Sequence, residues 1–357
     1  MSKSLALDHY RLLGRSGLRV SPLALGTMTF GQDWGWGADE DEARRIFDAY
    51  VERGGNFVDT AVNYTNGAAE RILGKLLQGR RERIVLSTKF TMARDPGDPN
   101  SGGNHRMNLV RSVEQSLRQL GTDRIELLHL HAWDCTTPPE EVLRALDDLV
   151  RAGKVLYLGI CNTPAWRVAQ LQTMADLRGW TPLVALQIEY SLVERSVEHE
   201  LLPMARALGL GVMPWSPLGG GILSGKYGRA DLDTRGERAV ASTRKGVIAS
   251  SGLLNERSLG IADEVTAVAR EAGASPAQVA LAWTLQNPAV AAPVIGARTL
   301  AQALDNLGAL DLRLDAGQLA RLDAASRPEP IFPERFVGTP LVEQLIFGGA
   351  EVAQRAA

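Results

Sequence analysis

The chain has 357 residues, 45% of them apolar, and a formal net charge of -2. That length suits one large domain or two smaller ones, and that composition supports a substantial buried core. The near-balanced charge argues against a nucleic-acid partner or an anionic membrane surface, and no apolar run approaches a membrane span.

Residues Met1–Tyr10 lack a signal-peptide core. The two cysteines, Cys135 and Cys161, have no metal-ligand spacing, so no metal site is expected, both thiols are expected free, and the expected compartment is the cytoplasm.

The first expected element is a β-hairpin over Tyr10–Val20 turning at Ser16-Gly17. Strand-like and helix-like stretches then alternate almost to the end. Leu23–Leu25 reads as a strand and Asp39–Arg53 as a helix opened by acidic residues. Asn56–Val58 precedes a helix over Ala68–Leu77, and Ile84–Thr88 precedes one over Met107–Leu120 that stops at Gly121. Ile125–Leu130 leads to Pro139–Ala152, Val155–Leu158 to Pro164–Leu177, and Val184–Leu186 to Val197–Leu208. Gly211–Met213 is a seventh strand, followed by helices over Leu259–Ala272 and Pro276–Gln286. Ala291–Val294 is an eighth, followed by Leu300–Leu310.

Eight βα units without a Pro-, Gly- or Ser-rich linker favour an α/β fold of the closed (β/α)8 barrel type, with an N-terminal β-hairpin and long βα loops. The expectation is one domain over 1–357, with the hairpin and first strand in 8–26 and a C-terminal extension in 327–357. Barrels of this type usually run to roughly 250 residues, so the surplus falls in the extension and in loops over Phe90–His105 and Trp215–Leu254. An open doubly wound sheet is disfavoured because no G-x-G-x-x-G follows a first strand. The tail from Phe332 to Phe347 is apolar enough to fold back over the barrel.

Four residues stand at the downstream edges of three of these strands: Asp59, Tyr64, Lys89 and His131. That edge is where parallel α/β folds carry their chemistry. A free phenol is a weak acid at neutral pH, and a nearby ammonium lowers its pKa. Lys89 is placed to do this for Tyr64, with Asp59 holding Lys89 charged. His131 is placed to hydrogen-bond the same substrate oxygen. The group would polarise a carbonyl and protonate the alkoxide formed by hydride, and the hydride must come from a nicotinamide. Taken singly, each residue has a plainer reading: a half-buried aromatic, a solvated or Schiff-base lysine, a helix cap, a structural histidine. His129, on the same strand face, competes with His131.

Phe57–Tyr64, reading FVDTAVNY, resembles the aldo-keto reductase signature with its catalytic Asp and Tyr. Ile84–Lys89 is similar to the strand bearing that family's Lys, and Leu128–Asp134 to the segment bearing its His. The resemblance runs to about Leu310 and is greatest to the aryl-alcohol-dehydrogenase-like and potassium-channel β-subunit branch. It implies a TIM barrel binding NADP(H) without a Rossmann domain, and a reversible NADPH-dependent reduction of an aldehyde or ketone. A nicotinamide-sensing regulatory subunit is the alternative it implies.

By position, the resemblance puts Gly26, Thr27 and Met28 at the nicotinamide end. Cys161 and Asn162, with Gln187, would hold the carboxamide, although a Cys stands where the family usually carries Ser and a thiol is a poorer hydrogen-bond partner. Trp215 would stack on the ring. The run Ser216, Pro217, Leu218, Gly219, Gly221 and Lys226 resembles the pyrophosphate loop. Gly296 and Arg298 correspond to the 2′-phosphate site. Gln302, Asp305 and Asn306 correspond to the adenosine contacts, with Asp305 shorter than the usual Glu. Trp34, Trp36, His105 and Trp133 are candidate walls for a bulky or aromatic carbonyl compound.

Overall fold

The computed structural model describes residues 5–232, 246, 248 and 252–350. Parts of the Trp215–Leu254 loop and the end of the 327–357 extension lie outside the described residues.

Strands β1 (Arg11–Leu12) and β2 (Arg19–Val20) form the antiparallel hairpin. Eight parallel strands follow: β3 (Ala24–Gly26), β4 (Phe57–Asp59), β5 (Val85–Phe90), β6 (Ile125–Leu130), β7 (Val155–Cys161), β8 (Leu183–Glu189), β9 (Gly211–Trp215) and β10 (Val294–Ile295). Their spatial order is β10-β3-β4-β5-β6-β7-β8-β9, a nearly closed (β/α)8 barrel.

The helices around it are α1 (Glu40–Glu52), α2 (Ala68–Leu76), α3 (Arg106–Leu120), α4 (Pro139–Arg151), α5 (Ala165–Arg178), α6 (Leu201–Leu208), α7 (Glu256–Ala272), α8 (Pro276–Leu285), α9 (Leu300–Leu307) and α10 (Ala316–Ser326). Asp39 accepts the Glu42 N–H at 2.8 Å to start α1, and left-handed glycines at 121 and 179 stop α3 and α5.

Alternation along each strand sorts side chains to two faces. Leu86, Leu128, Leu158, Ile160 and Leu186 face the helices, each within 1% of full burial. Inside the barrel, Ala24, Phe57, Val85, Leu127, Ala185 and Met213 fill an apolar lower layer. The hairpin plugs the lower mouth, because Leu13 and Val20 are fully buried in that layer. Gly14 permits the close approach: with φ +55°, its missing Cβ would lie 2.3 Å from the Val184 carbonyl oxygen. Above this layer the inward positions turn polar.

Three elements differ from the sequence expectation. The eighth strand begins at Val294, not Ala291, because Pro293 has no N–H to donate and only its carbonyl joins the ladder, accepting from Ala24 at 2.9 Å. The Val197–Leu208 segment splits into a 3-10 turn (Ser196–Glu198) and α6. Pro203 is tolerated only in a first turn, which fixes the α-helix start at Leu201. The tail does not fold back over the barrel. Its two short helices, α11 (Glu334–Val337) and α12 (Pro340–Phe347), bury no residue, and Phe332 and Leu345 are 74% and 73% exposed. The tail meets the barrel through a polar contact instead, the Glu334 carboxylate lying 2.6 Å from His199 Nδ1.

No helix among the described residues is long and apolar enough to cross a membrane, and no His/Cys/Asp/Glu group there is arranged to hold a metal. Cys135 is exposed and Cys161 buried, both as free thiols.

Candidate active site

Asp59 ends β4 and Lys89 lies one residue before the end of β5. Because Asp59 pairs with Ser87 across the two strands, both inward faces meet at one level. The Lys89 ammonium lies 2.5 Å from Asp59 Oδ2, 2.7 Å from the Thr60 carbonyl and 3.1 Å from the Tyr64 hydroxyl. An ammonium has three N–H bonds, and these three acceptors use them all. Asp59 Oδ1 accepts from Ser87 Oγ at 2.8 Å and from Gln187 Nε2 at 3.0 Å.

Lys89 is 1% exposed. Burial works against its charge, but its neighbours together, Asp59 foremost, outweigh this and raise the pKa above the ordinary lysine value. A buried, fully engaged ammonium is no amine nucleophile, which removes the Schiff-base reading.

The phenol of Tyr64 departs from expectation. Burial lifts its pKa above the ordinary value, and the Lys89 charge draws it only part of the way back. The hydroxyl accepts from Lys89, so its own proton is free to point into the cavity. His131 packs edge-on to Tyr64, with ring centroids 5.9 Å apart. Burial, then the Lys89 charge, lower its pKa to about 3, so the imidazole is neutral.

These groups open onto a cavity of about 660 Å³. Tyr64, Asp59 and His131 line it together with Gly26, Met28, Asn162, Gln187 and Trp215. Ser216, Pro217, Leu218, Gly221 and Lys226 line it as well, and so do Gly296, Arg298, Gln302, Asp305 and Asn306. The wall is braced: Trp215 Nε1 donates to Asn162 Oδ1 at 3.0 Å, and Asn162 Nδ2 donates to the His131 carbonyl at 2.9 Å. Asn162 and Ser216 both sit at positive φ, strained positions expected where backbone is held for function.

The lining suits a dinucleotide, because glycines, polar side chains and the cations Lys226 and Arg298 share one cavity. At Gly296 an added Cβ would meet only Thr29 Cγ2, at 3.9 Å. At Gly221 a Cβ would lie 2.6 Å from Lys226 Nζ, so glycine lets that cation reach the wall. Asp305 lines the cavity while its carboxylate accepts from Ser275 Oγ and Gln278 Nε2, both at 3.0 Å, so part of its capacity is structural.

Some expected contacts are not at the wall. Thr27 is fully buried and its hydroxyl donates to the Asp59 carbonyl at 3.2 Å. Cys161 is fully buried, and burial pushes its thiol pKa up. Gly219 is buried beside Val193.

Of the four candidate walls, Trp34 and Trp36 line the cavity, with Trp34 edge-on to Tyr64 at 6.4 Å. His105 instead caps α3, its Nδ1 accepting from the Asn108 N–H, and Trp133 lies under the Arg167 guanidinium. Thr29, Gly220, Ser224 and Ala277 also line the cavity, beyond the residues expected from sequence. Thr29 follows the first strand end by three residues, close enough for its place at the strand edge to have pointed to it. Ala277 arrives on the first turn of α8, where no strand-edge signal applies.

Sequence comparison fits this geometry. The family described as Aldo/keto reductase family matches residues 22–327. An uncharacterized oxidoreductase of Bacillus subtilis is 42% identical, over 88% of this chain and 94% of its own length. A norsolorinic acid reductase of Aspergillus flavus is 36% identical, over 93% and 84%. A putative aryl-alcohol dehydrogenase of Saccharomyces cerevisiae is 33% identical, over 93% and 90%. The chain belongs to the aldo/keto reductase family. It is an oxidoreductase of carbonyl chemistry, in a family that uses NAD(P)H.

Proposed function

We propose that the protein reduces an aldehyde or ketone to its alcohol, reversibly, with NADPH, and that Tyr64 is the proton donor. The observation that carries this reading is the Lys89–Tyr64 hydrogen bond at 3.1 Å, which leaves the phenol proton facing a cavity of about 660 Å³.

Bound there, the cofactor supplies the hydride. Gly26, Met28, Asn162, Gln187 and Trp215 would hold its nicotinamide end, and Ser216, Pro217, Leu218, Gly221 and Lys226 its pyrophosphate. Gln302, Asp305 and Asn306 would hold its adenosine, and Gly296 and Arg298 its 2′-phosphate, the preference for NADPH resting on that guanidinium.

His131, neutral, offers the carbonyl oxygen an N–H and so orients it. As negative charge develops on that oxygen, Tyr64 gives up its proton. An alkoxide is a far stronger base than a phenolate, so a phenol held protonated at rest still donates. The phenolate left behind is stabilised by Lys89, whose charge Asp59 secures. Trp34 and Trp36 suit a flat, aromatic carbonyl compound. The printed name of the yeast relative, an aryl-alcohol dehydrogenase, points the same way.

The test is steady-state oxidation of NADPH, and separately of NADH, with a panel of aromatic aldehydes. Saturable turnover favouring NADPH is expected. Tight NADPH binding with no turnover on any aldehyde would replace this reading with that of a cofactor sensor.

A further inference from the structure

Beneath Asp59, Tyr64, Lys89 and His131 lies a second, fully enclosed polar layer. His129 is 0% exposed and stands in register with Lys89 on one side and Gly159 on the other. Its Nδ1 is 3.1 Å from Ser87 Oγ, and Ser87 Oγ donates to Asp59 Oδ1 at 2.8 Å.

The proton positions follow from chemistry. The Asp59 carboxylate, paired with Lys89, takes the hydroxyl proton of Ser87 in preference to a neutral imidazole nitrogen. Ser87 Oγ is then an acceptor toward His129, so Nδ1 must carry the imidazole proton. Burial, then the Lys89 charge, hold the His129 pKa well below its ordinary value, so the ring has only this one proton. Nε2 is therefore a bare acceptor, and it is buried with no partner. Gly159 packs tightly against it, since a Cβ there would lie 2.4 Å from Nε2 and 2.3 Å from Cδ2.

A buried acceptor without a donor costs roughly 1–3 kcal/mol. Leucine, of comparable size, would carry no such penalty. The imidazole is kept at a cost to stability, and the one thing it does here is donate to Ser87. We propose that Ser87 and His129 are positioning residues for carbonyl reduction, which fix the Asp59 carboxylate and through it the Lys89 ammonium beneath Tyr64. This rests on the proposed function, and it extends the working site two residues into the barrel core.

The experiment uses the full chain and three variants, His129→Leu, His129→Asn and Ser87→Ala. It reads single-turnover oxidation of NADPH with benzaldehyde, NADPH affinity by fluorescence, and urea unfolding. His129→Leu, which removes one neutral hydrogen bond, should slow turnover about tenfold, and Ser87→Ala, which removes one to a carboxylate, by roughly ten- to hundredfold. NADPH affinity should stay within about twofold, a shift too small for a lost contact. His129→Leu should be no less stable than wild type. His129→Asn, whose amide N–H sits near the Nδ1 position, should recover most of the rate. Independently of turnover, ¹⁵N spectra of the imidazoles, assigned by loss of a signal in His129→Asn, should show His129 protonated at Nδ1.

An unchanged rate in His129→Leu, a rate loss that only tracks lost stability or lost NADPH binding, or a proton on Nε2 would overturn the proposal. If the wild-type chain turns over no carbonyl compound, the proposed function falls and the positioning role falls with it, while the spectra still decide the tautomer. If the wild type turns over and His129→Leu does so at the same rate, only the present inference falls.

Discussion

Lys89 and Asp59 form an ion pair at 2.5 Å with 0% and 2% of their side chains exposed. A pair so enclosed is conditional: removing either partner leaves the other as an unmatched charge in a low-dielectric interior. Lys89→Met should therefore lower stability by roughly 3–5 kcal/mol, seen as an earlier urea midpoint with unchanged slope. Asp59→Asn/Lys89→Met should regain most of that loss, because a neutral amide oxygen still accepts from Ser87 and Gln187. It should remain inactive. A double variant as unstable as the single one would mean the pair's loss is not electrostatic.

Tyr64→Phe removes the hydroxyl and leaves the ring that packs against Trp34 and His131. The rate of carbonyl reduction should fall by roughly 10²–10⁴, the usual contribution of a positioned proton donor. NADPH affinity should be unchanged in a fluorescence titration. A variant with wild-type turnover would assign the proton to another group.

Arg298→Ala should weaken NADPH by roughly ten- to hundredfold, the range for a charge-assisted hydrogen bond to phosphate, and NADH very little. The ratio of the two dissociation constants is the measurement. Equal losses would place the guanidinium away from the 2′-phosphate.

Glu70, fully buried on the first turn of α2, gives a pH-dependent term in stability. One carboxylate oxygen accepts from Thr88 Oγ1 at 2.7 Å, and the Ser116 hydroxyl also faces the group. Burial raises its pKa to about 7 from 4.5. The folded state binds this proton more tightly than the unfolded one. The stabilisation is thus complete below the unfolded pKa and is lost as pH rises through about 7. Glu70→Gln, neutral at every pH, should gain on the wild type by up to about 3 kcal/mol between pH ~4.5 and pH ~8. Unfolding curves for both proteins at several pH values give the difference directly, and a pH-independent difference would contradict the burial argument.

Much of this was legible from residue order because strands impose a period of two. Once Asp59, Lys89 and His131 are placed at strand ends, alternation alone aims them inward, and the structure brings them together. The same alternation aims Ser87 and His129 inward, a signal present in the sequence that only contact distances made chemical.

What depends on three-dimensional surroundings was not legible. Lys89 does lower the proton affinity of Tyr64, but the depth of burial, which residue order does not state, wins. His105 and Trp133 come from loops, where no period fixes direction, and both turn aside into a helix cap and a cation stack. Thr27 and Cys161 stand beside the cavity-lining Gly26 and Asn162 in the chain, yet both are fully buried behind the wall.

The displaced start of β10 has a consequence for how the molecule comes apart. Neighbouring strands β6 and β7, and β8 and β9, are each joined over five residue pairs, whereas β10 meets β3 over two. Between β9 and β10 the circle is closed by bonds at a single residue, Val212, to Ala289, Ala291 and Ala292. Amide protons at this seam should exchange with deuterium faster than those between β6 and β7. Mild heat should unzip the cylinder there first, beside the same strand that leads into Arg298.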